Sequence, residues 1–234
     1  MGRPGTAADF NRDHSGAGAA PKRLMAGSDP MNGGPTVVKL GGSFALSPHL
    51  RDWIAAIAAC AGRVVIVPGG GPFAGAVRAA QAPMGFDDRA AHRMSLLAME
   101  QYGCAIASLD ARLTLADSFE AIDRGLAEAR VPVWLPARMA LADASVPQSW
   151  DVTSDSLGLW LASRIGARRL VLVKHVETQE NSMRVADLTA RDVVDKAFAQ
   201  FLAASAVPAF ILGAREHGAV CSKAPDDAYV RILA

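Results

Sequence analysis

The sequence predicts an α/β protein, a three-layer sandwich whose central, mostly parallel sheet lies between helical layers. Three observations carry this. Runs such as Val64-Val65-Ile66-Val67 and Leu170-Val171-Leu172-Val173 are apolar throughout, as in strands covered on both faces. Segments with apolar residues at three- and four-residue spacing lie between those runs. Glycine-, proline- or hydroxyl-rich turns separate the two kinds of segment, and strictly alternating strands and helices build parallel sheets.

The elements follow in order. Thr36-Val37-Val38-Lys39-Leu40 is a short strand ended by Gly41-Gly42-Ser43, and Leu50, Trp53, Ile54, Ile57 and Ala58 mark a helix. A second strand spans 63–67, is broken by Pro68-Gly69-Gly70-Gly71, and Pro72 suits the first turn of the next helix. A long helix is expected after Asp87-Asp88, then a strand near Leu113, a helix from Ser118 to Ala129 and a strand at 131–135. Thr153-Ser154 caps a helix with Leu157, Trp160, Leu161 and Ile165 as its buried stripe. After the strand at 170–173, a helix is expected from Arg191 to Ala204, then closing strands at 209–212 and 229–233.

Length and composition narrow the function. At 234 residues, with 51% hydrophobic and 20% charged residues, the chain suits one large core. Residues 1–34 are rich in Gly, Ala, Pro and Asn without apolar periodicity. They read as a disordered tail ahead of a single domain over 35–234. Lys plus Arg (24) nearly cancels Asp plus Glu (23), so no global field favours nucleic acid or an acidic membrane. A small-molecule partner fits better. No run of 18 apolar residues occurs, and the N-terminus lacks the apolar core of a secretory signal. The odd, widely spaced Cys60, Cys104 and Cys221 form no ligand or disulfide pattern, which predicts reduced thiols in the cytoplasm.

Three loops are candidates for chemistry, because ligands of such sheets bind beyond the carboxyl ends of the strands. They are Lys39-Leu40-Gly41-Gly42-Ser43, Gly69-Gly70-Gly71 and Thr153-Ser154-Asp155-Ser156. Glycine lets backbone N–H groups approach an anion, and a following helix N-terminus favours negative charge. Two facing cradles with a cation between them suit phosphoryl transfer. Each loop also has a plainer reading: an ordinary turn, a strand-end lysine, a capping acid. The Walker A pattern is absent. Gly69, Gly71 and Ala74 fit the dinucleotide fingerprint, but its acidic partner is missing from the end of the next strand.

Val38-Lys39-Leu40-Gly41-Gly42-Ser43, Val67-Pro68-Gly69-Gly70-Gly71-Pro72-Phe73-Ala74 and Thr153-Ser154-Asp155-Ser156-Leu157, in that order, resemble the amino-acid kinase superfamily over roughly residues 36–213. Phe73-Ala74 with Val77-Arg78, Ala91-His92-Arg93-Met94 with Ala98-Met99, and Ser149-Trp150-Asp151-Val152-Thr153 resemble its archaeal-type branch of methanofuran biosynthesis. That branch phosphorylates [5-(aminomethyl)furan-3-yl]methyl phosphate.

The resemblance implies ATP and Mg²⁺ as cofactors, a small phosphate acceptor and a homo-oligomer; the alternatives are a kinase for another small phosphate or carboxylate, or a non-catalytic nucleotide- or oxoanion-binding protein. It implies Lys39 as the cation on the transferred phosphoryl, with Asp155 orienting the lysines. Gly41, Gly42, Ser43, Thr153 and Ser154 would serve the nucleotide, and Gly69, Gly70 and Gly71 the acceptor phosphate. The usual nucleotide loop is replaced by Lys174-His175-Val176-Glu177-Thr178. Lys174 is either a second phosphate-neutralising cation or a solvated strand end. His92 either faces the acceptor or makes a structural contact. Trp150 either packs the acceptor's ring or anchors its loop.

Overall fold

The structure is a computed structural model that describes residues 33–176, 180–221 and 229–234. The expected tail over 1–34 falls, but for Gly33 and Gly34, outside the described residues, as do Glu177 and Thr178.

Among the described residues eight strands form one sheet: β1 (Thr36–Leu40), β2 (Val64–Pro68), β3 (Leu113–Ala116), β4 (Val131–Trp134), β5 (Arg169–Lys174), β6 (Ser182–Arg184), β7 (Ala209–Gly213) and β8 (Val230–Leu233). Their order is β3-β4-β2-β1-β5-β7-β8-β6, and only the β7–β8 pair is antiparallel. The helices are α1 (Leu50–Ala58), α2 (Gly71–Met84), α3 (Asp88–Ala107), α4 (Phe119–Ala127), α5 (Ala137–Ala142), α6 (Ser154–Arg164), α7 (Val185–Ala190) and α8 (Phe198–Ala204). The predicted α/β class with a mostly parallel sheet is what the chain forms.

The apolar strands divide their side chains between two cores. Val37, Val65, Val67, Leu170, Leu172 and Ile211 belong to one, which α5 to α8 help to cover. Val38, Leu40, Val64, Ile66, Val171, Val173, Phe210 and Leu212 belong to the other, with Trp53, Ile54 and Ile57 of α1. Every strand residue of β1 and β2 is buried, which is why no polar alternation is visible in the sequence.

Three expectations are corrected. The helix expected over 191–204 is shorter: only Phe198–Ala204 (α8) is helical there, and a separate helix, α7, closes just before residue 191. The α7 helix ends with Asp192 at φ +52, while Asp192 N donates to Thr189 O and Val193 N to Leu188 O. Those paired bonds are the Schellman close of a helix, which aspartate tolerates better than most residues. Residues 191–197 therefore form a turn. Second, the first glycine loop does not open directly into a helix, as the other two do: Gly42–Phe44 forms a single 3₁₀ turn and α1 begins only at Leu50. Third, Cys60 and Cys221 are joined in a disulfide with their Cα atoms 5.6 Å apart, and only Cys104 is free among the described cysteines. The bridged residues stand 161 positions apart, so no local spacing announces the pair. No helix among the described residues is long and apolar enough to cross a membrane.

Candidate active site

Strand parity builds the centre of the site. Val37 and Lys39 point to one face of β1, and Leu170, Leu172 and Lys174 to the same face of β5. The two strands are parallel neighbours, with Leu40 opposite Val173. Both lysines therefore arrive at adjacent carboxyl ends under α6, on the same side of the sheet. The chain crosses from the β2 side to the β5 side of β1 at this place, so it is the topological switch point where such sheets bind ligands.

The first turn of α6 supplies the counter-charge. Asp155 Oδ1 is 2.8 Å from Lys39 Nζ, and its Oδ2 is 2.7 Å from Lys174 Nζ. Gly158, one turn later, faces β5 closely: a Cβ there would be 3.2 Å from Leu170 Cδ1, with Lys39 Cβ at an ordinary 3.7 Å. Lys39 and Asp155 are 5% and 4% exposed, so little water screens the triad. Burial alone would raise the Asp155 carboxyl, but the two ammonium groups outweigh it and hold it below the ordinary carboxylate range. Burial, then the positive charge of Lys39, pushes Lys174 down to about 8 against the pull of Asp155. Lys174, partly buried with its side chain 15% exposed, is thus a paired cation and not a solvated strand end.

The glycine loops meet backbone to backbone. Gly69 N donates to Leu40 O at 2.9 Å. A Cβ on Gly42 would fall 2.3 Å from Gly71 N, and one on Gly69 would fall 2.3 Å from Gly42 N. Only glycine permits this approach. Gly71 also needs φ +56 at the start of α2.

A cavity of about 290 Å³ opens beside these loops, lined among others by Gly42, Ser43, Gly70, Gly71, His92 and Ser154. Gly41 and Gly69 do not line it. A second, more polar cavity of about 310 Å³ lies against Asp155, Lys174 and residues 192–196. Arg78, Trp150 and Thr153 border both; of the charged triad, Asp155 and Lys174 line the second cavity and Lys39 lines neither.

The wall between them is cross-braced. The Arg78 guanidinium lies 4.1 Å from the Trp150 ring centroid, and Trp150 Nε1 donates to Gln81 Oε1 at 2.6 Å. Trp150 therefore both anchors its loop to α2 and borders the cavity. His92 is 3% exposed, with Nδ1 3.2 Å from Ser149 O. Burial outweighs that carbonyl and lowers the imidazole below its usual range.

Sequence reasoning missed Asp195, which lies in the turn between α7 and α8. Its Oδ2 accepts from Thr153 N at 2.9 Å, Thr153 Oγ1 at 2.8 Å and Ser156 N at 3.1 Å, and its Oδ1 accepts from Ser156 Oγ. It fixes the turn that presents Asp155. Burial, and then the nearby charge of Asp155, raises its own pKa. The Thr153 hydroxyl donates its proton to Asp195 and accepts from Asp155 N. No motif flags Asp195, because its partners lie about 40 positions away.

The match to a family model decides what this arrangement belongs to: the model described as the amino acid kinase family covers residues 34–218. The chain belongs to the amino acid kinase family. A curated relative, the [5-(aminomethyl)furan-3-yl]methyl phosphate kinase of Methanocaldococcus jannaschii, is 26% identical over 145 residues. The aligned part spans 60% of this chain and 66% of that relative.

Among solved structures, the uridylate kinase of Archaeoglobus fulgidus superposes with a TM-score of 0.67 at 15% identity, covering 85% of this chain and all of that one. The UMP kinase of Ureaplasma parvum gives 0.63 at 13%, covering 86% and 99%. These likenesses show the amino acid kinase fold. The predicted superfamily and its methanofuran-related branch both agree with the matches.

Proposed function

We propose that this protein is an ATP-dependent kinase that transfers a phosphoryl group to a small phosphate acceptor. The single observation that carries the reading is Asp155 bridging Lys39 and Lys174 at the tips of neighbouring strands, beside two interlocked glycine loops. Phosphoryl transfer depends on position and charge more than on covalent help. The triad supplies two cations whose places are fixed before substrate arrives.

The donor phosphates sit on the polar side, against Lys174 and the 192–196 turn, which leaves Gly42, Ser43 and Ser154, expected from the resemblance to serve the nucleotide, on the acceptor cavity. The acceptor phosphate sits on the Gly70–Gly71 side, at the N-terminus of α2, where free N–H groups and the helix dipole favour an anion. A phosphate monoester is largely ionised near neutral pH, so its oxygen attacks without a protein base. The attacking oxygen, the transferred phosphorus and the leaving oxygen align across the triad. ADP leaves, and the acceptor gains a phosphoanhydride.

Among the described residues no cluster of three or more acidic, His or Cys side chains can hold a metal, and both oxygens of Asp155 face lysines. These residues fit Mg²⁺ only as an ion carried on the nucleotide's phosphate oxygens. There it would neutralise the donor's charge.

The named relative supports [5-(aminomethyl)furan-3-yl]methyl phosphate as the acceptor, and hence a role in making a methanofuran-type carrier. A cavity of about 290 Å³ suits so small a molecule. Met94 and Leu97 remain substantially exposed on α3, which supports a homo-oligomer built on that helix. A monomer mass by light scattering would remove that part of the proposal.

The test is ATP consumption with the furan phosphate, comparing wild type with Lys39→Ala. Turnover should fall by about 10²–10³-fold, the usual loss for one preorganised charge-stabilising group. Equal turnover in the two proteins would refute the mechanism.

A further inference from the structure

His92 and Ser95 stand three residues apart on α3, on the face that Leu96 and Met99 also present to the acceptor cavity. Two polar atoms on that wall lack any hydrogen-bond partner while shielded from solvent: His92 Nε2 and Ser95 Oγ. The other ring nitrogen of His92 faces the Ser149 carbonyl. A carbonyl only accepts, so Nδ1 carries the proton, and Nε2 of the neutral ring is left as an acceptor. The Ser95 hydroxyl can accept as well. Neighbouring residues of the wall, Leu96, Met99, Val152 and Leu157, are apolar and offer these atoms nothing. Buried polar atoms in folded proteins are nearly always paired, so two such orphans on one wall of an open cavity mark the place of a ligand group.

We infer that His92 and Ser95 select the acceptor by receiving a hydrogen-bond-donating group, an amine or hydroxyl, on its organic part. The inference rests on the kinase reading above and deepens it. Nothing in the phosphate cradle distinguishes one phosphate monoester from another, because its contacts go to the shared anion. The α3 wall makes that distinction. A purely hydrocarbon acceptor would fill the apolar surface and strand both polar atoms. Sites built to pair a substrate N–H or O–H discriminate strongly against analogues that lack it.

The experiment uses the full chain, ATP, Mg²⁺ and two matched pairs of acceptors. One pair is [5-(aminomethyl)furan-3-yl]methyl phosphate and its 5-ethyl counterpart. The other is an unbranched C5 alkyl phosphate with and without a terminal hydroxyl. Wild type should favour the donor-bearing member of any pair it phosphorylates by at least about tenfold in kcat/KM, through KM more than kcat.

Ser95→Ala and His92→Phe should each shrink that ratio at least threefold or so, as loss of one hydrogen bond does. Ser95→Ala decides the matter if His92→Phe does not fold. A wild-type ratio near one, or variants that slow both members of a pair equally, would overturn the inference while leaving the kinase intact. Turnover of the alkyl pair without the furan pair would overturn the proposed acceptor, and the ratio within the alkyl pair would still judge His92 and Ser95. If no acceptor in either pair is phosphorylated, both readings fall.

Discussion

Replacing Asp155 with asparagine tests the charge arrangement most directly. The change keeps the shape of the side chain and removes one negative charge from between two ammonium groups, the buried Lys39 and the partly buried Lys174, 2.8 and 2.7 Å away. Breaking a buried ion pair by neutralising one partner costs about 3–5 kcal/mol. For a chain of this size that corresponds to a Tm lower by roughly 6–20 °C.

The catalytic effect is separable. The cation positions would relax, and kcat should fall by about 10²–10³-fold in protein shown to be folded at the assay temperature. A pH signature accompanies it. Lys174 titrates near 8 because burial and Lys39 lower it while Asp155 supports the charged form. In the free wild-type enzyme, kcat/KM for ATP should therefore decline above about pH 8 as this cation is lost. Without the carboxylate that support disappears, and the decline should move to lower pH. The assay is a coupled ADP-release measurement across pH 6–9, beside thermal unfolding followed by circular dichroism. A variant with turnover within about threefold of wild type and an unmoved alkaline limb would refute both the role of Asp155 and the assignment of the limb to Lys174.

Gly42→Ala should lower Tm by about 4–8 °C and weaken acceptor binding, because its Cβ meets the Gly71 backbone nitrogen at 2.3 Å and overpacking of this kind costs about 2 kcal/mol. An unchanged melting curve would show that the loops do not interlock. Asp195→Ala strands the four donors of Thr153 and Ser156. It should slow kcat by at least about tenfold while Lys39 and Lys174 stay in place, since it moves the turn that aims Asp155; wild-type kcat would exclude a positioning role. Thiol titration of the denatured, unreduced protein should find one free thiol, Cys104, rather than three. Reduction should cost up to about 5 kcal/mol, the loop-entropy value for so long a closed loop, and finding three thiols without reductant would dispose of the bridge.

What the sequence made legible was whatever one strand and the turn after it decide. Lys39 with Gly41 and Gly42, the triple glycine, and the Thr153–Asp155 turn each lie within a few residues, and each loop's requirement is backbone shape. A parallel sheet then brings the three loops together, because all its strands end on the same side. Features decided between distant segments were not legible. Asp195 sits in a turn created by an αL aspartate closing α7, where helical periodicity alone predicts one continuous helix. The strand β6 and the helix α5 are 3 and 6 residues long, too short for a periodic signal. The Cys60–Cys221 bridge needs the C-terminal segment to return to the end of α1.

Lys174 shows why the division falls there. Its sequence context leaves a solvated strand end and a buried cation equally open. Parity settles half the question: with Leu170 and Leu172 pointing into the core under α6, Lys174 must point the same way. The register between β1 and β5 settles the rest, since it places this side chain beside the one tipped by Lys39. Two ammonium groups held so close in a water-poor site would repel unless a carboxylate lay between them, and the N-terminal turn of α6 is the element positioned to deliver one. Asp155 is thus required by the pairing of the strands as much as by any chemistry it supports. On the proposed mechanism, a phosphate entering this triad would find the repulsion already offset and the cations already in place, and preorganisation of this kind lowers a transition state by sparing the reorganisation that free charges would need.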